Sequence, residues 1–165
     1  MPSKRDAGAE TSVEAGVNRG RNVNAQGSAK RILVIEDERN SREGLRQWLT
    51  AKGYRVGTAR DGWEALRAIK AQAWDLAIVD LDLPPVMDLA LTGWDLVRIL
   101  RAYDQRVAVL VVSAAEESAV RAKLTELRVN GFLGKPIRLG QLCEAIRSLG
   151  DPPVPVGIPG DAARS

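Results

Sequence analysis

The sequence predicts an α/β fold in which a parallel sheet is covered by helices on both faces. Short apolar runs alternate with segments of helical periodicity five times along the chain. Runs with so few polar residues are typical of strands that are buried on both faces. Their regular alternation with helices favours a parallel sheet over separate layers of helices and strands.

The five strands are predicted at residues 32–35, 54–58, 76–79, 107–112 and 131–133. A helix is predicted after each strand, from apolar residues three or four positions apart. These residues are Leu45, Trp48 and Leu49; Ala65, Leu66 and Ile69; Leu96, Val97, Ile99 and Leu100; Val120, Leu124 and Leu127; and Leu142, Ile146 and Leu149. Gly53 predicts the end of the first helix, and Asp61 with Glu64 resembles a capping box that starts the second. We expect the four tryptophans to pack between helix and sheet.

The composition is that of one globular domain with flexible ends. The 165 residues are 45% hydrophobic and 27% charged, which allows one compact core. Residues 1–29 have few large apolar side chains, so we expect a disordered tail there. Residues 151–165 are rich in proline and glycine and predict a second flexible tail. The folded domain is therefore expected to span residues 30–150.

Charge, cysteine and histidine content narrow the chemistry. The net charge of +3 is small and the basic residues are scattered, so we expect no direct nucleic-acid binding. No apolar run is long enough to cross a membrane. The single cysteine, Cys143, cannot form an intramolecular disulfide, which fits a cytoplasmic location. Histidine is absent, which excludes a histidine triad, a histidine metal site and a phosphohistidine on this chain.

Polar residues stand where four of the predicted strands end. They are Glu36, Asp37, Asp80, Asp82, Ser113 and Lys135. In a parallel sheet these ends meet at one edge, which is where ligand sites form. Each residue alone has a simpler explanation, such as a helix cap, a helix N-terminal acid or a surface lysine. Their joint occurrence at four strand ends favours a site.

The chemistry of such a cluster points to phosphoryl transfer. Crowded carboxylates raise one another's pKa, and a hard cation such as Mg²⁺ relieves this repulsion. An aspartate beside Mg²⁺ can act as a nucleophile toward phosphorus and form an acyl phosphate. The metal and Lys135 would offset charge on the transferred oxygens, and Ser113 could donate a hydrogen bond to them.

Four motifs together resemble the receiver domain of two-component response regulators, specifically a single-domain, chemotaxis-regulator-like member. They are Ile-Leu-Val-Ile-Glu36-Asp37-Glu38, Asp-Leu-Ala-Ile-Val-Asp80-Leu-Asp-Leu-Pro84, Val-Val-Ser113-Ala114 and Gly131-Phe132-Leu-Gly-Lys135-Pro136. The similarity covers residues 31–149. It implies a flavodoxin-like sheet with strand order 2-1-3-4-5.

The resemblance also implies a role for each site residue. Asp80 would accept a phosphoryl group from a histidine kinase or a histidine phosphotransfer protein. The implied Mg²⁺ ligands are Glu36, Asp37, Asp80 and the backbone carbonyl of Asp82. Ser113 and Lys135 would contact the phosphoryl oxygens. Ser113 and Phe132 would form the switch, although ordinary core packing would also explain Phe132.

The implied output is a change in protein binding. Phosphorylation would shift a two-state equilibrium at the face formed by the fourth helix, fifth strand and fifth helix. We expect a signalling protein that catalyses only its own phosphorylation and dephosphorylation. With no effector domain after the receiver, output would come from binding a downstream protein or relaying the phosphoryl group. A monomer and a phosphorylation-dependent dimer are both compatible with the sequence.

Two departures from the family pattern concern the segment after Asp80. Because of residues 84–92, the glycine that matches the family pattern, Gly93, lies further along the chain from Asp80 than in the family. Several of these residues are apolar. We interpret them as a loop that packs on the third helix, or alternatively as a lid or docking element. Asp82 is an acid where the family varies. We expect its side chain to lie at the pocket mouth and to tune the phosphoryl lifetime.

Two other functions remain open at this point. Asp80 and Asp82 resemble the nucleophile motif of haloacid-dehalogenase-like phosphatases, but the acid pair here precedes Asp80, whereas in that family it comes downstream. A receiver-like interaction module that is never phosphorylated is the other alternative. The complete set of site residues argues against it.

Overall fold

The computed structural model describes residues 28–85 and 90–149. Nearly all of both predicted tails, and residues 86–89, lie outside the described residues. Strands and helices alternate throughout the described chain. They are β1 (Arg31–Ile35), α1 (Arg39–Ala51), β2 (Arg55–Ala59), α2 (Gly62–Ala71), β3 (Leu76–Asp80), α3 (Gly93–Tyr103), β4 (Ala108–Ser113), α4 (Glu117–Glu126), β5 (Gly131–Gly134) and α5 (Leu139–Ser148).

The strands form one parallel sheet in the order β2-β1-β3-β4-β5, which confirms the predicted fold class. The chain reverses its direction of travel across the sheet after β2, so the crevice for a ligand lies beside the ends of β1 and β3. The register pairs Asp80 with Val112 and Ser113 with Gly134. The last residues of three neighbouring strands are thereby brought to one edge.

Alternate strand residues build a separate core on each face of the sheet. On one face, Leu33, Val79 and Val111 pack with residues of α2, α3 and α4. On the other face, Val34 and Ile78 pack with residues of α1 and α5. The central strands are therefore buried on both faces. This burial explains why polar and apolar residues do not alternate in their sequences.

Helix ends agree with the sequence prediction in one place and differ in another. Gly53 follows the end of α1 with φ of +92°, a conformation that glycine adopts without strain. At the start of α2, Asp61 accepts a hydrogen bond from the Glu64 N–H, but the Glu64 carboxylate accepts from the N–H of Arg60. The predicted start of α2 at Asp61 is therefore confirmed, but the Glu64 carboxylate pairs with the N–H of Arg60 and not with that of Asp61, so the capping box is incomplete.

A complete capping box does begin α3. The Thr92 hydroxyl accepts from the Asp95 N–H, and the Asp95 carboxylate accepts from the Thr92 N–H. Two backbone donors that the helix itself cannot satisfy are paired in this way. The box fixes where the long segment after Asp80 rejoins regular structure.

The tryptophans occupy different environments. Trp74 is buried, and its ring lies so close to Gly57 that a Cβ there would stand 2.3 Å from it. Trp94 on α3 packs against the core, and the ammonium of Lys123 on α4 lies 5.4 Å from its ring centroid. The side chain of Trp63 is half exposed, so the prediction that all four tryptophans pack between helix and sheet is wrong for Trp63.

Arg101 of α3 joins elements that are distant in sequence. Its guanidinium donates to the carbonyls of Val107, Leu127 and Arg128. It also donates over 2.8 Å to Oδ1 of Asn130, which in turn accepts from the N–H of Val109. A single side chain thus ties α3 to the start of β4 and to the loop between α4 and β5. Within the described residues, no helix has the length and apolarity needed to cross a membrane.

Candidate phosphoryl-transfer site

The sheet edge formed by the carboxyl ends of β1, β3 and β4 carries three buried polar side chains. Glu36, Asp80 and Ser113 are 5%, 2% and 1% exposed. Buried charged groups are rare in proteins unless they are paired or bind a ligand. Parallel strands place them here, because each residue directly follows or ends an apolar strand.

The acidic residues form a compact oxygen cluster. Glu36, Asp37 and Asp80 each offer a carboxylate oxygen, and these oxygens lie within 4.8 Å of one another. Asp37 is exposed, whereas the other two are buried. A set of hard oxygen donors that is open to solvent on one side suits Mg²⁺, which keeps several of its waters.

Burial perturbs the pKa of Glu36. Desolvation raises its pKa to about 7, and the neighbouring charges of Asp80 and Asp37 act in the same direction. The N–H of Glu38 donates to Glu36 Oε1 over 3.0 Å and opposes the rise, as does Lys135. The cluster therefore holds a carboxyl group whose negative charge is poorly compensated by the protein alone.

Asp80 is held from two sides. Lys135 Nζ lies 2.8 Å from Oδ2, and the N–H of Asp82 donates to Oδ1 over 2.7 Å. The start of α3 packs closely on the Asp80 backbone, since a Cβ on Gly93 would stand 2.6 Å from the Asp80 carbonyl oxygen. The carboxylate is thus oriented by a cation and a backbone donor that lie on different elements.

The Asp82 carboxylate contacts the other polar groups of the site. Oδ1 accepts from the Ser113 hydroxyl over 3.1 Å, and Oδ2 accepts from the Ala114 N–H over 2.9 Å. Lys135 Nζ lies 3.3 Å from Oδ2. Desolvation works to raise the pKa of Asp82, but these contacts outweigh it and the pKa is lowered. The side chain lies at the mouth of the site, 40% exposed.

Lys135 bridges the two aspartates. Partial burial works to lower its pKa, but the hydrogen bond and charge of Asp80, with Asp82 and Glu36, raise it overall. Its backbone N–H also donates to the Ser113 carbonyl over 2.9 Å. The ammonium is therefore fixed at the point where two carboxylates converge.

The structure brings the predicted polar side chains together at one sheet edge, whereas Phe132 lies in the core. Phe132 is partly buried and packs on the face that carries α2, α3 and α4. The backbone N–H of Ala114 also forms part of the site, and the sequence does not predict it. No residue type marks a backbone donor, so its only available signal was its place directly after Ser113.

The long segment after Asp80 is described only at its ends. Leu83 is buried, and Leu91 is partly buried against the same core. Leu91 lies beside α2, because a Cβ on Gly62 would stand 3.0 Å from the Leu91 Cβ. The interpretations as a packed loop or as a lid depend on residues 86–89, which lie outside the described residues.

The chain belongs to the response regulator receiver domain family. The family model, described as "Response regulator receiver domain", matches residues 32–147. The similar curated proteins include the transcriptional regulatory protein CusR of Escherichia coli (strain K12), 32% identical over 119 residues. Another is the response regulator MprA of Mycolicibacterium vanbaalenii, 34% identical over 119 residues. Each alignment covers 72% of this chain and 50% or 49% of the relative, so the chain spans about half the length of these relatives.

Solved structures agree on the fold. A CheY-like receiver domain protein from Methanospirillum hungatei has a TM-score of 0.68 and 24% identity, and the alignment covers 75% of this chain and 95% of that one. Response regulator TrrA from Thermotoga maritima, in complex with Mg²⁺ and BeF, has a TM-score of 0.62 and 29% identity over 73% of this chain and 98% of that one.

Family membership narrows the functional alternatives. A receiver domain is a part of phosphorylation-based signalling and differs in class from an enzyme that turns over a small substrate. The alternative of a haloacid-dehalogenase-like phosphatase finds no support in the family match or in these relatives.

Proposed function

We propose that this chain is a phosphorylation switch with Asp80 as its phosphoacceptor. The observation that carries the proposal is the buried Asp80 carboxylate, which lies among two further carboxylates and 2.8 Å from Lys135. Glu36, Asp37, Asp80 and the backbone carbonyl of Asp82 would hold Mg²⁺. When bound, the metal would offset the charge of the phosphoryl oxygens and of the carboxylate cluster.

The reaction follows from the chemistry of a carboxylate nucleophile. An Asp80 oxygen attacks the phosphorus of a phosphohistidine on the donor protein, and the P–N bond breaks. The electron pair stays on the imidazole nitrogen, which takes up a proton. Lys135 balances charge on the phosphoryl oxygens, and Ser113 donates a hydrogen bond to one of them. The proposed donor is a histidine kinase or a histidine phosphotransfer protein, which membership of the receiver family supports.

The output of the switch is a protein-binding face on α4, β5 and α5. Support comes from α4, which buries only Leu124 among its described side chains and has no side-chain N-cap. Such a helix is easily shifted when Ser113 and Phe132 move. A downstream protein would bind this face, or the phosphoryl group would be passed on. The proposal includes a cytoplasmic location and a single receiver domain at residues 30–150, as a monomer or a phosphorylation-dependent dimer.

The test is to incubate the protein with Mg²⁺ and acetyl phosphate and to follow intact mass. We expect one phosphoryl group per wild-type chain and none on Asp80→Asn, because the amide is not a nucleophile. Omission of Mg²⁺ should abolish the reaction. Absence of any phosphorylation would favour an interaction module that is never phosphorylated, and catalytic turnover of a phosphoester would favour a phosphatase.

A further inference from the structure

The Asp82 carboxylate holds the donors that a phosphoryl group on Asp80 would need. These donors are the Ser113 hydroxyl, the Ala114 N–H and the Lys135 ammonium, at 3.1, 2.9 and 3.3 Å. They come from the end of β4 and from the segment after β5. Among the described residues, the hydroxyl and the N–H donate to Asp82 and not to Asp80.

We infer that Asp82 is an internal ligand of this donor set, which a phosphoryl group on Asp80 must displace. A carboxylate and a phosphoryl group both present anionic oxygens to hydrogen-bond donors. The Ser113 hydroxyl and the Ala114 N–H each carry a single proton, so neither can donate a full hydrogen bond to both anions, whereas the Lys135 ammonium already contacts both aspartates. The inference rests on the proposed function. It assigns Asp82 as the residue that sets how readily Asp80 is phosphorylated.

The structure allows the displacement. The Asp82 side chain is 40% exposed, so it can rotate into water without leaving a buried charge behind. Its departure frees the proton of the Ser113 hydroxyl, whose oxygen stays buried and accepts from the Ala115 N–H, for donation to the phosphoryl group. Loss of the Asp82 contacts opposes phosphorylation, because hydrogen bonds to a charged acceptor stabilise the unphosphorylated state. The unphosphorylated state is thereby favoured in a two-state equilibrium.

Two substitutions separate this role from simple charge repulsion. Asp82→Asn removes the charge but keeps one side-chain carbonyl oxygen, which can still accept from either Ser113 or Ala114. Asp82→Ala removes both the charge and the acceptor. Repulsion alone would make the two variants equal, whereas a displaced ligand would give alanine the larger effect. Asp104→Asn is the matched control, because Asp104 lies just after α3 at the opposite edge of the sheet and pairs with Arg106.

The experiment is a calorimetric titration of beryllofluoride at saturating Mg²⁺. We expect Asp82→Ala to bind about tenfold more tightly than wild type or better, with Asp82→Asn in between and Asp104→Asn unchanged. Equal affinities of the two Asp82 variants, or an alanine variant that binds no better than wild type, would overturn the inference. Failure of the wild type to bind would instead contradict the proposed function.

A second measurement needs neither metal nor phosphoryl analogue. In the metal-free protein the Ala114 N–H is bonded to Asp82, so Asp82→Ala should speed its hydrogen exchange by about tenfold. Asp82→Asn should have a smaller effect, and Asp104→Asn none. An unchanged Ala114 exchange rate in Asp82→Ala would show that the carboxylate does not hold this donor in solution, and the inference would be wrong.

Discussion

At the scale of single residues, the site is a set of opposed charges that the protein leaves only partly balanced. Lys135 serves Asp80 and Asp82 at once, while Glu36 keeps a pKa of about 7 because burial outweighs its one backbone donor. An imbalance of this kind lowers the stability of the free protein and favours a bound cation. The residues of the candidate site therefore lower the free energy of unfolding of the metal-free protein.

Glu36→Gln tests that cost. The folded pKa of about 7 exceeds the ordinary 4.5, so the folded state binds the extra proton between these values. The metal-free wild type should lose stability as pH rises from 4.5 to about 7, and then level off. Glutamine stays neutral, so the variant should exceed wild type by roughly 2–3 kcal/mol near pH 8 and match it near pH 4.5. Urea unfolding in a chelator across this range measures the difference.

A difference between Glu36→Gln and wild type that does not change with pH would contradict the assignment. Glu144→Gln is the control, because Glu144 is exposed on α5 and lies away from the carboxylate cluster.

At the scale of elements, α3 is positioned by its first residues. The capping box of Thr92 and Asp95 sets its start, and Gly93 lets the helix approach the backbone of Asp80 and Leu81. The helix therefore packs against the backbone of Asp80, the proposed phosphoacceptor. Its placement explains why the long segment after Asp80 must end at a glycine.

Gly93→Ala should destabilise the protein although alanine favours helices. Its Cβ would stand 2.6 Å from the Asp80 carbonyl oxygen and 2.7 Å from the Leu81 Cα, so backbone must move. We expect a loss of about 1–3 kcal/mol in urea unfolding. Gly44→Ala in α1 is the matched control, since no atom lies within 4 Å of its Cβ position. That variant should gain roughly 0.5–1 kcal/mol, and equal effects of the two substitutions would refute the steric argument.

At the scale of the whole molecule, Arg101 connects α3 with the segment before β4 and with the loop between α4 and β5. Three of its acceptors are backbone carbonyls that follow α3 or α4, and the fourth is Asn130 before β5. Burial is the main cause that lowers the pKa of Arg101, and the nearby charge of Arg128 acts in the same direction. The charge is stabilised by hydrogen bonds to carbonyl oxygens and by the nearby carboxylate of Asp104, which opposes the lowering of the pKa.

Arg101→Met should therefore lower the free energy of unfolding more than the partial exposure of Arg101 suggests. Several carbonyls would lose a charged donor, each worth about 1.5–3 kcal/mol, so we expect a total loss of at least 3 kcal/mol in thermal or urea unfolding. Arg98→Met is the control on the same helix, where an exposed pair with Asp95 contributes about 1 kcal/mol or less. Comparable losses in the two variants would show that the Arg101 bonds do not stabilise the fold.

Much of this architecture could be predicted from the sequence. Apolar strands such as residues 76–79 indicate a parallel sheet, and the rule for strand ends places Asp80 and Ser113 together. The partners of Asp82 could not be predicted, because Ala114 contributes a backbone N–H. The Glu64 bond to Arg60 depends on backbone angles at Asp61, and Trp63 looks like any apolar helix residue. These details arise from local conformation, which periodicity does not encode.

The stacking of Lys123 on Trp94 gives this protein an intrinsic optical probe. Trp94 lies on α3 and Lys123 on α4, the helix that we expect to move when the switch acts. A nearby ammonium quenches and shifts indole emission. Separation of the two helices would therefore change the wavelength and the intensity of the Trp94 fluorescence. The signal can be isolated by replacing the three other tryptophans with phenylalanine, and its time course would follow the switch without any label.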